Sequence, residues 1–409
     1  MPLETDFDPD DEGLAHALRL LIDAKREPGT PHGDPVAPLD LPERWPDAGV
    51  GGSAALDVLA ATALRRPTRL DHPGFFAHMD PPTPWMTWAA TAWAAAMNQN
   101  LLHPDSAPAA RLLERRVIEW LAPSFGMDGG HLVPGSTVAN LTALWAAREL
   151  TGARRVVASA VSHLSVAKAA AILGLEYVAV PVDERERMRV DALPDDLSDA
   201  IVVLTAGTTA AGAVDPLDAA STAAWRHVDA AWAGPLRLSS HAAVLDGIER
   251  ADSVAVSAHK WFYQPKESAL VLFADAERAH AAISIGGGYL VAPNVGLLGS
   301  HGAAALPLAA TLLAWGRDGL RARIDADMAL AERLAARIAA EPALELFAPP
   351  ETGVVVWRVR GVDNAAVRDG VDGAWVSTTT VHDEVWLRSV AANPHADPDL
   401  VVDAVLAAR

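Results

Sequence analysis

The sequence predicts an α/β fold: a mostly parallel sheet with helices on both faces, followed by a smaller α+β unit. Two observations carry this reading. Between about residues 71 and 285, short apolar runs rich in β-branched residues alternate with helical stretches. Such runs lack the polar alternation of a half-solvated strand, so their sheet must be covered on both sides. After about residue 286 the texture changes to one long helix, then strands and a closing helix. The expected division is therefore an N-terminal helical arm and linker at 1–70, a large α/β domain at 71–285 and a small domain at 286–409.

In the arm, Leu14, Leu18, Leu21 and Ile22 have helical spacing. A Pro- and Gly-rich stretch follows at 28–46, then a second helix over 55–66. Such an arm cannot bury its own apolar face and should pack on the main domain or on a second subunit. In the large domain the expected strands are 156–160, 177–180, 201–205, 226–229, 253–257 and 269–273. Helices are expected at 85–97, 107–121, 138–150, 164–173, 216–223 and 241–248. Gly286-Gly287-Gly288 reads as a hinge. Beyond it come a long helix broken between 315 and 320, strands at 354–359, 374–378 and 385–390, and a last helix at 397–408.

The formal net charge of −19 argues against nucleic acid or an anionic membrane as partner. With no cysteine, disulfides, thiolate catalysis and Cys-ligated zinc are excluded. The acidic N-terminus has no secretory signal, and the most apolar stretch, 84–97, is too short to span a bilayer. A soluble cytoplasmic protein is expected.

The run at 253–257 leads directly into Ala258-His259-Lys260-Trp261. A strand end aims a side chain into a cleft from a rigid platform. A lysine held there, partly desolvated beside His259, is a candidate Schiff-base former. Upstream, His227-Val228-Asp229-Ala230-Ala231-Trp232 also closes a strand. A buried carboxylate, Asp229, followed 31 positions later (260 − 229) by Lys260 is what pyridoxal 5'-phosphate needs. The acid keeps the pyridine nitrogen protonated and the lysine holds the aldehyde. Ligands of parallel sheets bind beyond the carboxyl ends of strands, where both residues fall.

Gly135-Ser136-Thr137 precedes a helical run. Alone it is an ordinary helix cap; beside the Asp and Lys motifs it is a phosphate cup. Ser162-His163 opens another helix, either as a surface cap or with His163 over the cofactor ring. Thr205-Ala206-Gly207-Thr208-Thr209 is either a simple turn or room and hydrogen bonds for a flat ring. Trp85, Trp88 and Trp93 on an Ala-rich helix read as core packing, with Asn98, Gln99 and His103 beyond it as substrate-side candidates. His301 is a weaker substrate-side candidate, and Arg388, after a strand, could bind a carboxylate. No metal site is expected: the 14 histidines are scattered, and the lysine explains Asp229 better than chelation with His227. No P-loop, nucleophile elbow or dinucleotide-binding glycine motif occurs.

Together, Gly135-Ser136-Thr137 with Asn140, Ser162-His163, the 205–209 segment, the Asp229 motif and Ser257-Ala258-His259-Lys260-Trp261 resemble one family. It is the group II pyridoxal-phosphate-dependent amino-acid decarboxylases, the aromatic-amino-acid and glutamate decarboxylase group. His72-Pro73-Gly74-Phe75-Phe76, Asn98-Gln99-Asn100 and Asn393-Pro394 fit it as well. The resemblance runs from about residue 70 to the end.

The resemblance implies the aspartate-aminotransferase-type fold (PLP fold type I), with a mostly parallel seven-stranded sheet domain and a small C-terminal α+β domain. It implies a homodimer with active sites at the interface and an amino acid as small-molecule substrate. By position, Lys260 is the imine lysine, Asp229 the partner of the pyridine nitrogen and His163 the stacking histidine. Ser136, Thr137, Ser257 and His259 hold the phosphate, Thr205 lies at the ring, and Ala231 packs on the face opposite His163. The expected reaction is decarboxylation through a lysine Schiff base and a quinonoid intermediate.

One departure stands out. The family's long mobile loop, with the tyrosine that protonates the α-carbon, is replaced by a short stretch at 274–302 whose one tyrosine is Tyr289. The proton donor is then His163, Tyr289, or His301 from a second subunit. Loss of the family donor also opens oxidative decarboxylation-deamination, or another α-carbon lyase reaction, as the alternative. An inactive scaffold homologue is the alternative of another class.

Overall fold

The computed structural model describes residues 7–32, 41–64 and 67–409. The first six residues, part of the Pro/Gly-rich stretch 28–46 and the end of the helix expected over 55–66 lie outside the described residues. Helices α1 (Asp11–Arg26) and α2 (Gly52–Ala63) form the arm. Asp10 caps α1 by accepting the Gly13 N–H at 2.9 Å. At the other end the Arg69 guanidinium donates to the carbonyls of Ala24, Lys25 and Glu27, which the helix leaves without partners. Polar contacts thus dock α1, while Leu14 and Leu18 remain exposed.

Helices α3 (Trp85–Met97) and α4 (Pro108–Leu121) lie where the sequence places them. The large domain then reads β1 (Gly129–Val133), α5 (Ser136–Thr151), β2 (Arg155–Ser159), α6 (Leu164–Leu173), β3 (Glu176–Val180), β4 (Ala200–Thr205), β5 (Trp225–Asp229), β6 (Ser253–Ser257) and β7 (Ala269–Phe273). The seven strands lie in the order β1-β7-β6-β5-β4-β2-β3. β3, β2, β4, β5 and β6 are mutually parallel, and β7 runs antiparallel between β6 and β1. Every residue of β4, β6 and β7 is buried, as continuous apolar runs require. One face packs on α5 and α6 and the other on α4 and later elements.

Two expected helices are corrected. Residues 216–223 form turns, with Ala220 at φ 58°. Residues 241–248 hold a 3-10 turn, Ala242–Leu245, and the start of a second at Ile248, separated by Gly247 at φ 101°. Both stretches are too short and too broken by turn residues to sustain an α-helical face.

Beyond β7, helix α7 (Ala276–Ala282) leads to a small hairpin, β8 (Ser284–Ile285) and β9 (Asn294–Val295), whose connection carries the three glycines read as a hinge. Helix α8 (Ala305–Ala339) breaks at Gly316, φ 61°, where the sequence expects an interruption. Then come β10 (Leu344–Leu346), β11 (Val354–Val359), α9 (Asn364–Gly370), β12 (Ser377–Val381), β13 (Glu384–Val390) and α10 (Pro398–Ala407). The four strands form an antiparallel sheet ordered β10-β11-β13-β12. β12 starts later than expected because Trp375 instead bridges Phe75. Leu320, Ile324 and Met328 of α8 enter the large core, and Leu330, Leu334 and Ile338 enter the small one. The part of α8 beyond the break therefore packs into both cores. Among the described residues no helix is long and apolar enough to cross a membrane.

Candidate active site

Sheet register brings the candidate residues to one edge. Thr205 pairs with Asp229, and Asp229 with Ala255, across three parallel strands. Ser257 of β6 and Val133 of β1 both lie opposite Ala269 of β7. The carboxyl ends of β1, β4, β5 and β6 therefore open on the same cleft.

The anion end is the start of α5. Gly135 precedes it at φ 121°, a backbone that side chains avoid, and gives it no side-chain cap. The first N–H groups of the helix are left to an incoming anion. The Ser136 and Ser257 hydroxyls meet there at 2.6 Å. The His259 ring closes the side: a Cβ on Gly135 would stand 3.6 Å from its Cε1. Thr137 is exposed in the first turn of the same helix. Burial first, then Lys266 and Lys260, lowers the His259 pKa to about 4, so the ring is neutral near pH 7.

At the other end Asp229, 3% exposed, accepts the Asn140 amide at 2.9 Å and the Ala231 N–H at 3.1 Å. His163 caps α6, its Nδ1 accepting the Ser165 N–H at 3.2 Å and lying 2.8 Å from the Ser165 hydroxyl. Its pKa is lowered, by burial first, with Asp229 pulling upward and Lys260 and Lys168 downward. Lys260, just beyond β6, feels the charge of Asp229 and acts in turn on His163 and His259. Burial lowers its pKa; Asp229 and Asp80 oppose that, while Lys266 and Arg388 add to it. The shift enlarges the share of free amine, the nucleophilic form.

Two tryptophans hold the loops that carry these residues. Trp232 and Trp261 pack at 4.3 Å between ring centroids. Their indole N–H groups donate to the carbonyls of Thr352 at 2.6 Å and Ala391 at 2.9 Å, in the small domain. Gly353, φ 74°, leaves room for the Trp261 ring, which a Cβ would meet at 2.5 Å.

Of the substrate-side candidates, the structure brings Arg388 to the lysine. It is 7% exposed on β13, and burial lowers its pKa to about 10. One terminal nitrogen donates to Ser377 Oγ at 3.2 Å and to the Ala77 carbonyl at 3.4 Å, while Nε has no partner. Asn98 and His301 line a neighbouring cavity of about 420 Å³ with Glu114 and Lys266. The His301 ring bonds back to the Gly299 carbonyl at 2.8 Å. Tyr289 is 75% exposed on the hairpin connection and faces His103. Trp85 and Trp93, read as core residues, are exposed; Trp88 is tied to Thr83. His227 is saturated by Ser253 and Asn140 and has no free atom for a metal.

Sequence reasoning left several contributors without a role: Asn140 beneath Asp229, Ser165 beneath His163, and the Asp80–Lys266 ion pair near the lysine. Asn140 stands one turn after Ser136 on the same face of α5, a spacing that could have singled it out.

The residues fit a phosphorylated pyridine. Thr205 Oγ1 and His259 Nδ1 are buried without partners, one beside Asp229 and one at the anion cup. Buried polar atoms are seldom left so unless something binds them. Comparison with known proteins agrees. Residues 61–360 match the pyridoxal-dependent decarboxylase conserved domain. The chain is 31% identical over 408 residues to L-2,4-diaminobutyrate decarboxylase of Rhizobium meliloti (strain 1021), covering 89% of this chain and 82% of that one. It is 26% identical over 403 residues to the aromatic-L-amino-acid decarboxylase of Bacillus atrophaeus, covering 87% and 84%. The crystal structure of Oryza sativa TDC with PLP and tryptamine superposes with a TM-score of 0.87 at 22% identity, covering 100% of this chain and 98% of that one. This chain therefore belongs to the pyridoxal-dependent decarboxylase family, whose members are carboxy-lyases that act on amino acids with pyridoxal 5'-phosphate.

Proposed function

We propose that the cleft removes the α-carboxylate of an L-amino acid, with Lys260 as the amine that binds the cofactor's aldehyde and Asp229 as the acid at its ring nitrogen. The observation that carries this is their placement: two strand-end residues on one cleft, flanked by partnerless Thr205 and His259 and by the α5 anion cup. When bound, the cofactor supplies an electron sink for the pair released as carbon dioxide leaves.

The side chains do the rest. Ser136, Ser257 and His259 anchor the phosphate with the first turn of α5, and Thr137 closes the outer side of the cup. Ala231 and His163 would hold the cofactor ring between them. Arg388 holds a substrate carboxylate with the Nε that the fold leaves unbonded. A proton must then reach the α-carbon. His163 is the titratable ring beside Lys260, whereas Tyr289 stands on an exposed connection.

The enzyme works as a homodimer. Helix α3 carries no charge over its 13 residues and exposes Trp85, Trp93 and Met97 by 69%, 66% and 69%. A surface this apolar calls for a protein partner, and a second copy supplies one.

The test is a substrate panel with all products measured. It begins with 2,4-diaminobutyrate, the substrate named for the Rhizobium relative, and extends to aspartate, ornithine and the aromatic amino acids. Carbon dioxide and the matching amine are expected in equal amounts from at least one of them. Ammonia, peroxide and a carbonyl product would instead establish oxygen-dependent deamination, the alternative that the short 274–302 segment opens. Lys260→Ala should lose the visible band of lysine-bound cofactor; an unchanged spectrum would overturn the lysine assignment.

A further inference from the structure

Beneath the cleft runs a buried chain of polar groups that the reaction itself does not use. Asn140 and His227 are fully buried, and Ser165 and Ser253 nearly so. Asn140 Nδ2 lies 2.9 Å from Asp229 Oδ2 and 2.9 Å from Ser165 Oγ. Its Oδ1 lies 3.0 Å from His227 Nε2. His227 Nδ1 lies 2.8 Å from Ser253 Oγ, which also takes the Trp225 indole N–H at 2.8 Å.

The chemistry of each group fixes the direction of every bond. A carboxylate only accepts, so the nitrogen of Asn140 must face Asp229. Both amide hydrogens are then used, one on Asp229 and one on Ser165. The Asn140 oxygen only accepts, so His227 carries its hydrogen on Nε2. Burial lowers the His227 pKa to about 4, which keeps that ring neutral and its Nδ1 bare. The Ser253 hydroxyl therefore donates to Nδ1 and receives the Trp225 N–H. On the other branch the Ser165 N–H points at His163 Nδ1, so that atom is bare too. The Ser165 hydroxyl, already accepting from Asn140, donates to it. A neutral His163 must carry its hydrogen on Nε2.

We propose that Asn140 is a positioning residue that ties the acid Asp229 and the ring His163 into one unit, with His227 as its anchor. The inference rests on the cofactor reading above. One amide sets both groups: it holds the Asp229 carboxylate in place below the ring nitrogen, and through Ser165 it fixes the tautomer and angle of the ring above. Every donor and acceptor of the amide is engaged, so it cannot turn without breaking three bonds. An aspartate at 140 would set two carboxylates against each other. A leucine would leave the Nε2–H of His227 buried and unpaired.

The test uses the full-length protein. Histidine nitrogen NMR on the wild type should show both His227 and His163 as the Nε2–H tautomer. His227 found with its hydrogen on Nδ1 would reverse the chain and overturn the proposal without any variant. In holoenzyme, Asn140→Ala should weaken cofactor binding about ten- to a hundredfold, the worth of one hydrogen bond to a charged group. It should also move the pH at which the visible band changes. Ser165→Ala cuts only the branch to His163. It should leave that pH in place while lowering kcat. An Asn140→Ala enzyme with a lower Tm but wild-type cofactor affinity and an unmoved band transition would reduce Asn140 to a packing residue. A wild type with no visible band would instead defeat the cofactor reading, while the tautomers would still be read.

Discussion

Asp327→Asn should stabilise this protein, and increasingly so as pH rises. Asp327 lies on α8, 1% exposed, and accepts a hydrogen bond from the Tyr263 hydroxyl. Tyr263 is three residues beyond Lys260 at φ 58°, so the pair clamps the lysine loop to the helix that spans both cores. Burial outweighs the hydrogen bond and lifts the Asp327 carboxyl from its ordinary 3.8 to about 7. Between those values the folded protein binds a proton that the unfolded chain has lost, so stability falls as pH rises through that window. At about 1.4 kcal/mol per pH unit, the full penalty is about 4 kcal/mol above pH 7. At pH 5 only the part above 3.8 counts, roughly 2 kcal/mol. The amide still accepts from Tyr263 but never ionises.

Thermal and denaturant midpoints of the two proteins at pH 5 and pH 8 read this directly. Other buried groups, such as Asp215 with its pKa near 6, titrate in both proteins and cancel in the difference. The gap in favour of Asp327→Asn should widen from pH 5 to pH 8 by about 2–3 kcal/mol. A gap that is constant, or that narrows, would mean that Asp327 is ionised in the fold at little cost, and the burial argument would fail.

Two further outcomes concern the cleft. Gly135→Ala forces a Cβ onto a backbone at φ 121°, which should weaken cofactor binding several-fold, as roughly 1–2 kcal/mol of strain implies. Equilibrium dialysis reads this, and wild-type affinity would place the anion elsewhere. Arg388→Ala should raise KM about tenfold or more, the worth of a charge-assisted hydrogen bond, with cofactor affinity unchanged. A loss of cofactor affinity with KM unmoved would show that the arginine serves the fold rather than the substrate.

What was legible in the sequence follows a physical pattern. β4, β6 and β7 could be read because strands buried on both faces need unbroken apolar runs. β1 has no counterpart among the expected strands: it opens on Gly129 and Gly130, which have low strand propensity. Yet Gly130 is there for close approach: a Cβ on it would meet the Val271 carbonyl at 2.0 Å. The helices expected at 216–223 and 241–248 gave way to local turn chemistry. Trp85 and Trp93 were assigned to a core because an aromatic stripe carries no mark of which surface will cover it.

The site divides the same way. Lys260 and Asp229 announced themselves because a charged residue at the end of an apolar strand is locally anomalous. Asn140 did not, because its meaning lies in partners 87 and 89 positions away, which only strand order brings close. On the function proposed above, polar satisfaction separates the residues that would position from those that would bind. In the deep relay from Trp225 to His163 Nδ1, every donor meets an acceptor. Around the lysine the fold stops short: Thr205 Oγ1, His259 Nδ1, Ser268 Oγ and Arg388 Nε are buried with nothing to bond. Each such atom costs about 1–3 kcal/mol if it stays unpaired. A fold that completes one network and abandons the atoms beside it is shaped for something that arrives later. Cofactor and substrate recover that cost on binding, so the holoenzyme should outlast the bare chain in heat by more than the affinity of the phosphate cup alone accounts for.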